Sequence, residues 1–226
     1  MQIDIYYIIL VLPTVVLSMV AQFMVKSTFS KYSNIRCSKN ITGSDAANII
    51  LRNNSVNDVA IEAVAGSLTD HYDPSSKKVR LSEPVHSQPT LAAIGVAAHE
   101  AGHAIQHATK YGPLVLRSKL VPVANIGSQA GPLLAMAGLV LSFPLLLNLG
   151  ILLFTGAVLF YVVTLPVEFN ASSRALALLK RDNLLSPQEL AGAKKVLTAA
   201  ALTYVASALT ALMNLIVLII RARSRR

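Results

Sequence analysis

The longest uncharged stretch of the chain limits the folds that it can adopt. No charged residue lies between Lys119 and Glu168, and most residues in this interval are apolar. A helix needs about 20 residues to cross the hydrocarbon core of a membrane, so the stretch is too long for one span. Pro144 and Asn148 lie near its middle. We therefore expect a helical hairpin of two membrane spans over residues 120–165.

Two further apolar segments lie at the ends of the chain. Residues 1–25 are almost wholly apolar and are followed by Lys26, which predicts an uncleaved transmembrane anchor helix. Pro13 would kink this helix without preventing it from spanning. A polar helix over 166–195 is expected before a C-terminal apolar helix and basic tail over 196–226. Charged residues make up only 14% of the chain, against about 25% in soluble domains, so we expect a multi-pass membrane protein.

The remaining residues, 26–119, contain most of the polar side chains and predict a small water-exposed α+β domain. Ser44 is the expected N-cap of a short helix. Residues 58–65 and 78–82 alternate between apolar and polar side chains, as half-exposed strands do. The segment His71–Pro74 is expected to form a turn. The chain as a whole is therefore predicted to be mainly α-helical, with this small domain attached to membrane helices.

The distribution of basic residues predicts the orientation in the membrane. No Lys or Arg precedes the first span, and several follow it closely: Lys26, Lys31, Arg36 and Lys39. The positive-inside rule then places the polar domain in the cytoplasm, in a protein of the plasma membrane. The net charge of +9 has the same explanation, so no nucleic-acid partner is expected. For the last apolar helix, a fourth span and a packed or interfacial helix both stay open, and charge bias slightly favours the second.

One short motif predicts chemistry. Pro89 and Thr90 open a predicted Ala-rich helix that contains His99, Glu100 and His103 in the pattern H-E-x-x-H. Residues four apart share a helix face, so the two imidazoles can bind one ion. Zinc accepts imidazole nitrogen, and a catalytic zinc site uses three protein ligands and leaves one position for water. Glu100 can take a proton from that water. We therefore expect one zinc ion per chain.

A catalytic site needs a third ligand. His107 continues the same helix face, but it lies about 12 Å from His99 along the axis, so it is expected to be a supporting residue. His71 and His86 fall in predicted loops or turns. Glu168 is the better candidate, because a carboxylate at the end of a returning membrane span is costly without a partner.

Several segments together resemble the neutral zinc metallopeptidase family of the YugP type. These segments are Leu68–Pro74, Val79–Ser82, His99–His107, Leu165–Ala175 and Ala199–Ala206. The family is similar in layout to HtpX-type heat-shock proteases and CAAX prenyl proteases, and the resemblance covers nearly the whole chain. It implies a small zincin-like catalytic domain of the gluzincin type, with Glu168 as the third zinc ligand.

This chain departs from those relatives in the second motif. Their pattern is E-x-x-x-D, in which the Asp supports a ligand histidine. Here Ser172 occupies the Asp position. The resemblance therefore leaves the support of a histidine to Ser172, to Asn170 or to another group, with His107 as a further residue behind the ligands.

The activity that these roles imply is hydrolysis of peptide bonds in membrane or membrane-proximal proteins. Glu100 would act as general base on a zinc-activated water and then protonate the leaving amine. The oxyanion would need one further donor, for which Arg174, His71 and Tyr204 are candidates. We also expect the strand over 78–82 to lie at a sheet edge, where an extended substrate could pair with it.

Two other functions compete with this interpretation. One is a non-catalytic membrane scaffold with a structural zinc site, which would have no need of the base Glu100. The other is a metal transporter, but the two motif histidines lie outside the apolar spans.

Overall fold

The structure is a computed structural model, and it describes residues 5–223 of the 226-residue chain. Over these residues the protein is mainly helical and contains one small sheet. The elements in chain order are α1 (Leu12–Ser33), α2 (Gly43–Asn53), β1 (Ala60–Val64), β2 (His71–Asp73), β3 (Lys78–Ser82), α3 (Glu83–His86), α4 (Leu91–Ala108), α5 (Gly112–Val140), α6 (Pro144–Arg181) and α7 (Pro187–Arg223).

The chain divides into two compact units. The first, here called the helical unit, consists of the residues up to Gln22, Gly112–Pro166 and the residues from Leu202 onward. The second, here called the mixed unit, consists of Phe23–Tyr111 and Val167–Ala201 and contains the sheet.

The first apolar helix contains a local irregularity before Pro13. A π-helical turn, Tyr7–Val11, precedes α1. Proline has no backbone N–H, and its ring clashes with the carbonyl four residues earlier. A wider turn at this point accommodates the ring, so the helical course continues through the proline that the sequence predicted to kink it.

The N-terminus of α2 lies earlier than Ser44, so the predicted N-cap is wrong. Thr42 caps the helix: its side chain accepts a hydrogen bond from the Asp45 backbone, and the Asp45 carboxylate accepts one from the Thr42 N–H. This reciprocal arrangement satisfies two backbone donors at once, which a cap at Ser44 would not do.

The sheet has the order β1–β3–β2, so β3 is its central strand. β1 pairs with β3 in parallel, and β2 pairs with β3 antiparallel. The predicted strand over 78–82 is confirmed, but its predicted edge position is wrong, because both of its sides are already hydrogen-bonded.

The predicted turn at His71–Pro74 is wrong at its start. His71–Asp73 form β2, and the turn follows this strand, where Asp73 accepts hydrogen bonds from Ser75 and Ser76.

Helix α4 forms the centre of the mixed unit. Its side chains are almost all buried, and Thr90 caps it through a bond from the Ala93 N–H. The small side chains Ala97, Ala98 and Ala101 are fully buried in the apolar core. A Cβ added at Gly102 would lie 2.9 Å from the Ala171 carbonyl oxygen, so α4 and α6 pass very close at this point. This approach brings the motif histidines beside α6.

Helix α6 is continuous from Pro144 to Arg181. The sequence predicted a break between the hairpin and a polar helix starting near residue 166, and this break is absent. Pro166 is tolerated inside the helix, as prolines are in membrane helices whose freed backbone groups find other partners. Helix α7 is likewise one helix from Pro187, and Ser186 and Glu189 form a capping box at its start.

Helices α5 and α6 cover the segment of the predicted hairpin and are joined by a short turn at 141–143. Glycines allow them to pack closely. A Cβ added at Gly150 would overlap the backbone nitrogen of Ala135, and one at Gly138 would overlap that of Leu147. Membrane helices use small residues in this way, because van der Waals contact drives their association.

Within residues 5–223, four helices are long and apolar enough to cross a membrane: Tyr7–Ser33, Gly112–Val140, Pro144–Arg181 and Pro187–Arg223. In the helical unit, Leu215 and Leu218 of α7 lie in one apolar cluster with Leu139 and Leu147. Arg221 donates a hydrogen bond to the Met136 sulfur at 3.8 Å. The C-terminal part of α7 therefore packs along the hairpin.

The close approach of α5 and α6 predicts an asymmetry between two glycine substitutions. Gly150→Ala should lower the thermal unfolding midpoint of the detergent-solubilised protein, because overpacking costs about 1–3 kcal/mol. Gly112→Ala is the matched control, since an added Cβ there has no neighbour within 4 Å. Equal unfolding midpoints for the two variants would contradict the packing described here.

Candidate metal centre

Three side chains of the mixed unit converge on one point. His99 and His103 come from α4, and Glu168 comes from α6. The two Nε2 atoms lie 3.1 Å apart, and the Glu168 Oε2 atom lies 3.3 Å from His99 Nε2 and 3.5 Å from His103 Nε2. All three residues are buried, with Glu168 only 2% exposed. Among the described residues, they are the one group of three or more His, Cys, Asp and Glu side chains arranged to hold a metal ion.

The distances fit a tetrahedral zinc site. Two ligand atoms that each lie about 2.05 Å from an ion at a tetrahedral angle are about 3.3 Å apart. The three distances between the ligand atoms lie close to this value. Two imidazole nitrogens and one carboxylate oxygen also match the ligand types of catalytic zinc, which leaves one coordination position open. The residues present therefore fit the zinc ion that the motif predicts.

The electrostatics of the site favour positive charge. Burial disfavours the charged form of His103, but a hydrogen bond to Glu168 and the negative charges of Glu100 and Glu168 raise its pKa overall. A cation bound between the ligands would take the place of that proton and neutralise the buried carboxylate.

Each ligand histidine has a hydrogen-bond partner behind it. The Ser172 hydroxyl lies 3.1 Å from His99 Nδ1, so the residue at the Asp position of the related motif does reach a ligand histidine. His103 Nδ1 lies 2.9 Å from Gln106 Oε1. Partners on Nδ1 orient the ring and leave Nε2 facing the metal position.

Gln106 is a residue that the sequence analysis missed. It is fully buried, and its amide nitrogen donates to the Val167 carbonyl at 2.8 Å and to Asn170 Oδ1 at 2.9 Å. Asn170 therefore supports His103 through Gln106 and does not itself bond to a ligand. The sequence feature that could have identified Gln106 is its polar side chain three positions after His103, in a helix that is otherwise mostly apolar.

Glu100 is buried beside the ligands, with 8% of its surface exposed. Within residues 5–223 no hydrogen bond engages its carboxylate. Asp70 lies near it: burial and the charge of Glu100 raise the pKa of Asp70, although Ser82 donates to it through its backbone N–H at 2.7 Å and through its hydroxyl. Asp70 is a second residue that the sequence analysis did not single out.

The three candidates for the oxyanion donor have different surroundings. Arg174 donates from Nε to Asn170 Oδ1 at 2.7 Å, and its guanidinium lies 5.9 Å from the centre of the Tyr111 ring. His71 is exposed on β2, with its Nδ1 atom 2.8 Å from the Thr69 carbonyl oxygen. Tyr204 belongs to the helical unit. None of the three is shown to act as the oxyanion donor, and that assignment stays a prediction.

His107 lies one helical turn beyond His103 and has a different partner. Its Nδ1 atom is 2.7 Å from the Tyr72 hydroxyl, beside a cavity of about 300 Å³ that Asp58 and Lys77 also line. Burial raises the pKa of Tyr72 to about 12, so the phenol keeps its proton. The predicted supporting role of His107 behind the ligands therefore has no direct contact in its favour.

Comparison with known proteins agrees with this geometry. The sequence profile of the family described as "Putative neutral zinc metallopeptidase" matches residues 7–223. A relative from Bacillus subtilis (strain 168), described as "Putative membrane protease YugP", is 50% identical over 210 residues, which cover 93% of each chain. No solved structure gives a significant match. On the extent of both sequence matches, this chain belongs to the family of neutral zinc metallopeptidases.

Proposed function

We propose that the protein is a zinc-dependent endopeptidase embedded in a membrane, acting on peptide bonds of membrane or membrane-proximal proteins. The observation that carries this proposal is the convergence of His99, His103 and Glu168 within 3.5 Å of one another, next to the unengaged carboxylate of Glu100. Membership of a zinc metallopeptidase family and four helices of spanning length support it.

The side chains of the site have separate roles in the proposed reaction. His99, His103 and Glu168 would hold the zinc ion, which would act as a Lewis acid by lowering the pKa of a bound water and polarising the scissile carbonyl. Glu100 accepts the proton of the attacking water and passes it to the leaving amine. His99 and His103 keep their rings in place through Ser172 and Gln106. The low exposure of the site keeps bulk water from competing with the substrate for these groups.

A non-catalytic scaffold with a structural zinc site is the competing function. A structural site surrounds zinc with four protein ligands. Only three candidate ligands converge among the described residues, and a free carboxylate lies beside them. This arrangement favours the enzyme over the scaffold.

The role of Glu100 predicts a separation between metal binding and turnover. Glu100→Gln should lower the rate of cleavage of a fluorescently labelled unfolded protein by about 10²–10⁴-fold, which is the contribution of a general base. Zinc should stay near one ion per chain, because Glu100 is not a ligand. Wild-type protein treated with a chelator is the control for metal dependence. Full activity in the variant would contradict the mechanism.

The ligand set predicts a second difference, in zinc content. His99→Ala, His103→Ala and Glu168→Ala should each lower the zinc content of the purified protein, because each removes one of three ligands. His107→Ala is the matched control on the same helix, since this histidine bonds to Tyr72. Elemental analysis of the four variants decides the question. Loss of zinc in His107→Ala with retention in Glu168→Ala would show that the ligand set is wrong.

We further propose four membrane crossings with the active site in the cytoplasm. This topology puts the N-terminus, the turn at 141–143 and the tail on one side, and the segments around 26–111 and 182–195 on the other. The first set contains no Lys or Arg except in the tail, whereas the second contains many. The positive-inside rule therefore still favours a cytoplasmic active site, with the tail as an exception to it.

Thiol labelling on intact cells can test this topology. Single cysteines at Ser75, Ser142 and Ser224, in a Cys37→Ser background, should give labelling by a membrane-impermeant reagent at the last two positions only. A membrane-permeant reagent should label all three, which controls for access. Labelling at Ser75 would overturn the cytoplasmic active site, and protection of Ser224 would overturn the fourth span.

A further inference from the structure

The fully buried side chain of Gln106 makes hydrogen bonds at both ends of its amide. Its oxygen lies 2.9 Å from His103 Nδ1, and its nitrogen donates to the Val167 carbonyl and to Asn170 Oδ1. An amide without exposure must find its partners within the protein, because each unmade bond costs about 1–3 kcal/mol. The contacts of Gln106 meet this requirement.

The orientation of the Gln106 amide is determined by its neighbours. The Val167 carbonyl can only accept a hydrogen bond. Asn170 could present either end of its own amide, but Arg174 donates from Nε to Asn170 at 2.7 Å, and a guanidinium has donors only. Asn170 must therefore present Oδ1, and Gln106 must present its nitrogen to both acceptors. The oxygen of Gln106 is then left to face His103.

This orientation in turn determines the proton position on His103. Because the Gln106 oxygen can only accept, His103 Nδ1 must carry the proton and donate it. Nε2 is then unprotonated in the neutral ring, with its lone pair available to a metal. Ser172 differs in this respect: its hydroxyl beside His99 Nδ1 can donate or accept, so it orients the ring without choosing its tautomer.

We propose that Arg174, Asn170 and Gln106 form a positioning chain that holds His103 in the tautomer and orientation required for metal binding. The inference rests on the proposed metal centre but not on the catalytic role of Glu100. It gives Arg174 a role at a distance from the reacting atoms, where the Tyr111 ring under its guanidinium helps to hold it in place.

Measurements of zinc affinity test the positioning chain directly. Zinc dissociation constants would be measured by chelator competition on the full-length protein in detergent, and the absorption spectrum of the cobalt-substituted protein would report ligand geometry. Gln106→Met preserves the length of the side chain without its polar atoms and should weaken zinc binding about 10–100-fold, with an altered cobalt spectrum. Thr109→Val is the matched control, since Thr109 bonds only to carbonyls of its own helix, and it should bind zinc as the wild type does.

A pair of substitutions at Asn170 keeps the test independent of any folding defect in Gln106→Met. Asn170→Asp keeps an acceptor for both Gln106 and Arg174 and should retain wild-type affinity. Asn170→Leu removes the acceptor and should weaken zinc binding. Thermal unfolding of the metal-free forms would show whether each variant folds.

The outcomes distinguish this inference from the proposed function. Wild-type affinity and spectrum in Gln106→Met, or equal weakening by Asn170→Asp and Asn170→Leu, would overturn the positioning chain and leave the metal centre intact. A wild-type protein that binds no zinc would overturn both.

Discussion

Two imidazole nitrogens and one carboxylate oxygen face a single buried point, and a cation bound between them would neutralise the buried carboxylate. His99, His103 and Glu168 supply these three atoms, and all three residues are buried. The small side chains of α4 and the close approach of Gly102 to Ala171 let the two helices come near enough for one ion to contact all three ligands. Larger residues at this contact would separate the ligands.

The two histidines are supported by different chemistry. A hydroxyl stands behind His99, whereas a chain of two amides and a guanidinium stands behind His103. The hydroxyl can adapt to either tautomer, but the amide chain can accept only one. Ser172, at the Asp position of the E-x-x-x-D pattern, therefore orients only one of the two histidines. The hydrogen bond that selects a tautomer comes from Gln106, which lies on the same helix as His99 and His103.

Glu168 lies on α6, which is one continuous helix from Pro144 to Arg181. A buried carboxylate at this position would destabilise the fold without a counter-charge. The metal proposed here supplies that charge, which couples the stability of the mixed unit to occupancy of the centre.

The sequence by itself predicted the long apolar helices and the two histidines that the structure brings beside Glu168. Long apolar stretches and the i, i+4 spacing of His99 and His103 act through local geometry, so they can be interpreted without a fold. The third ligand needed the resemblance as well as the cost of a carboxylate near the membrane. Strand order, the central position of β3 and the role of Gln106 depend on which segments meet. These contacts join residues far apart in the chain, and only the tertiary structure decides them, because no local pattern records a distant partner.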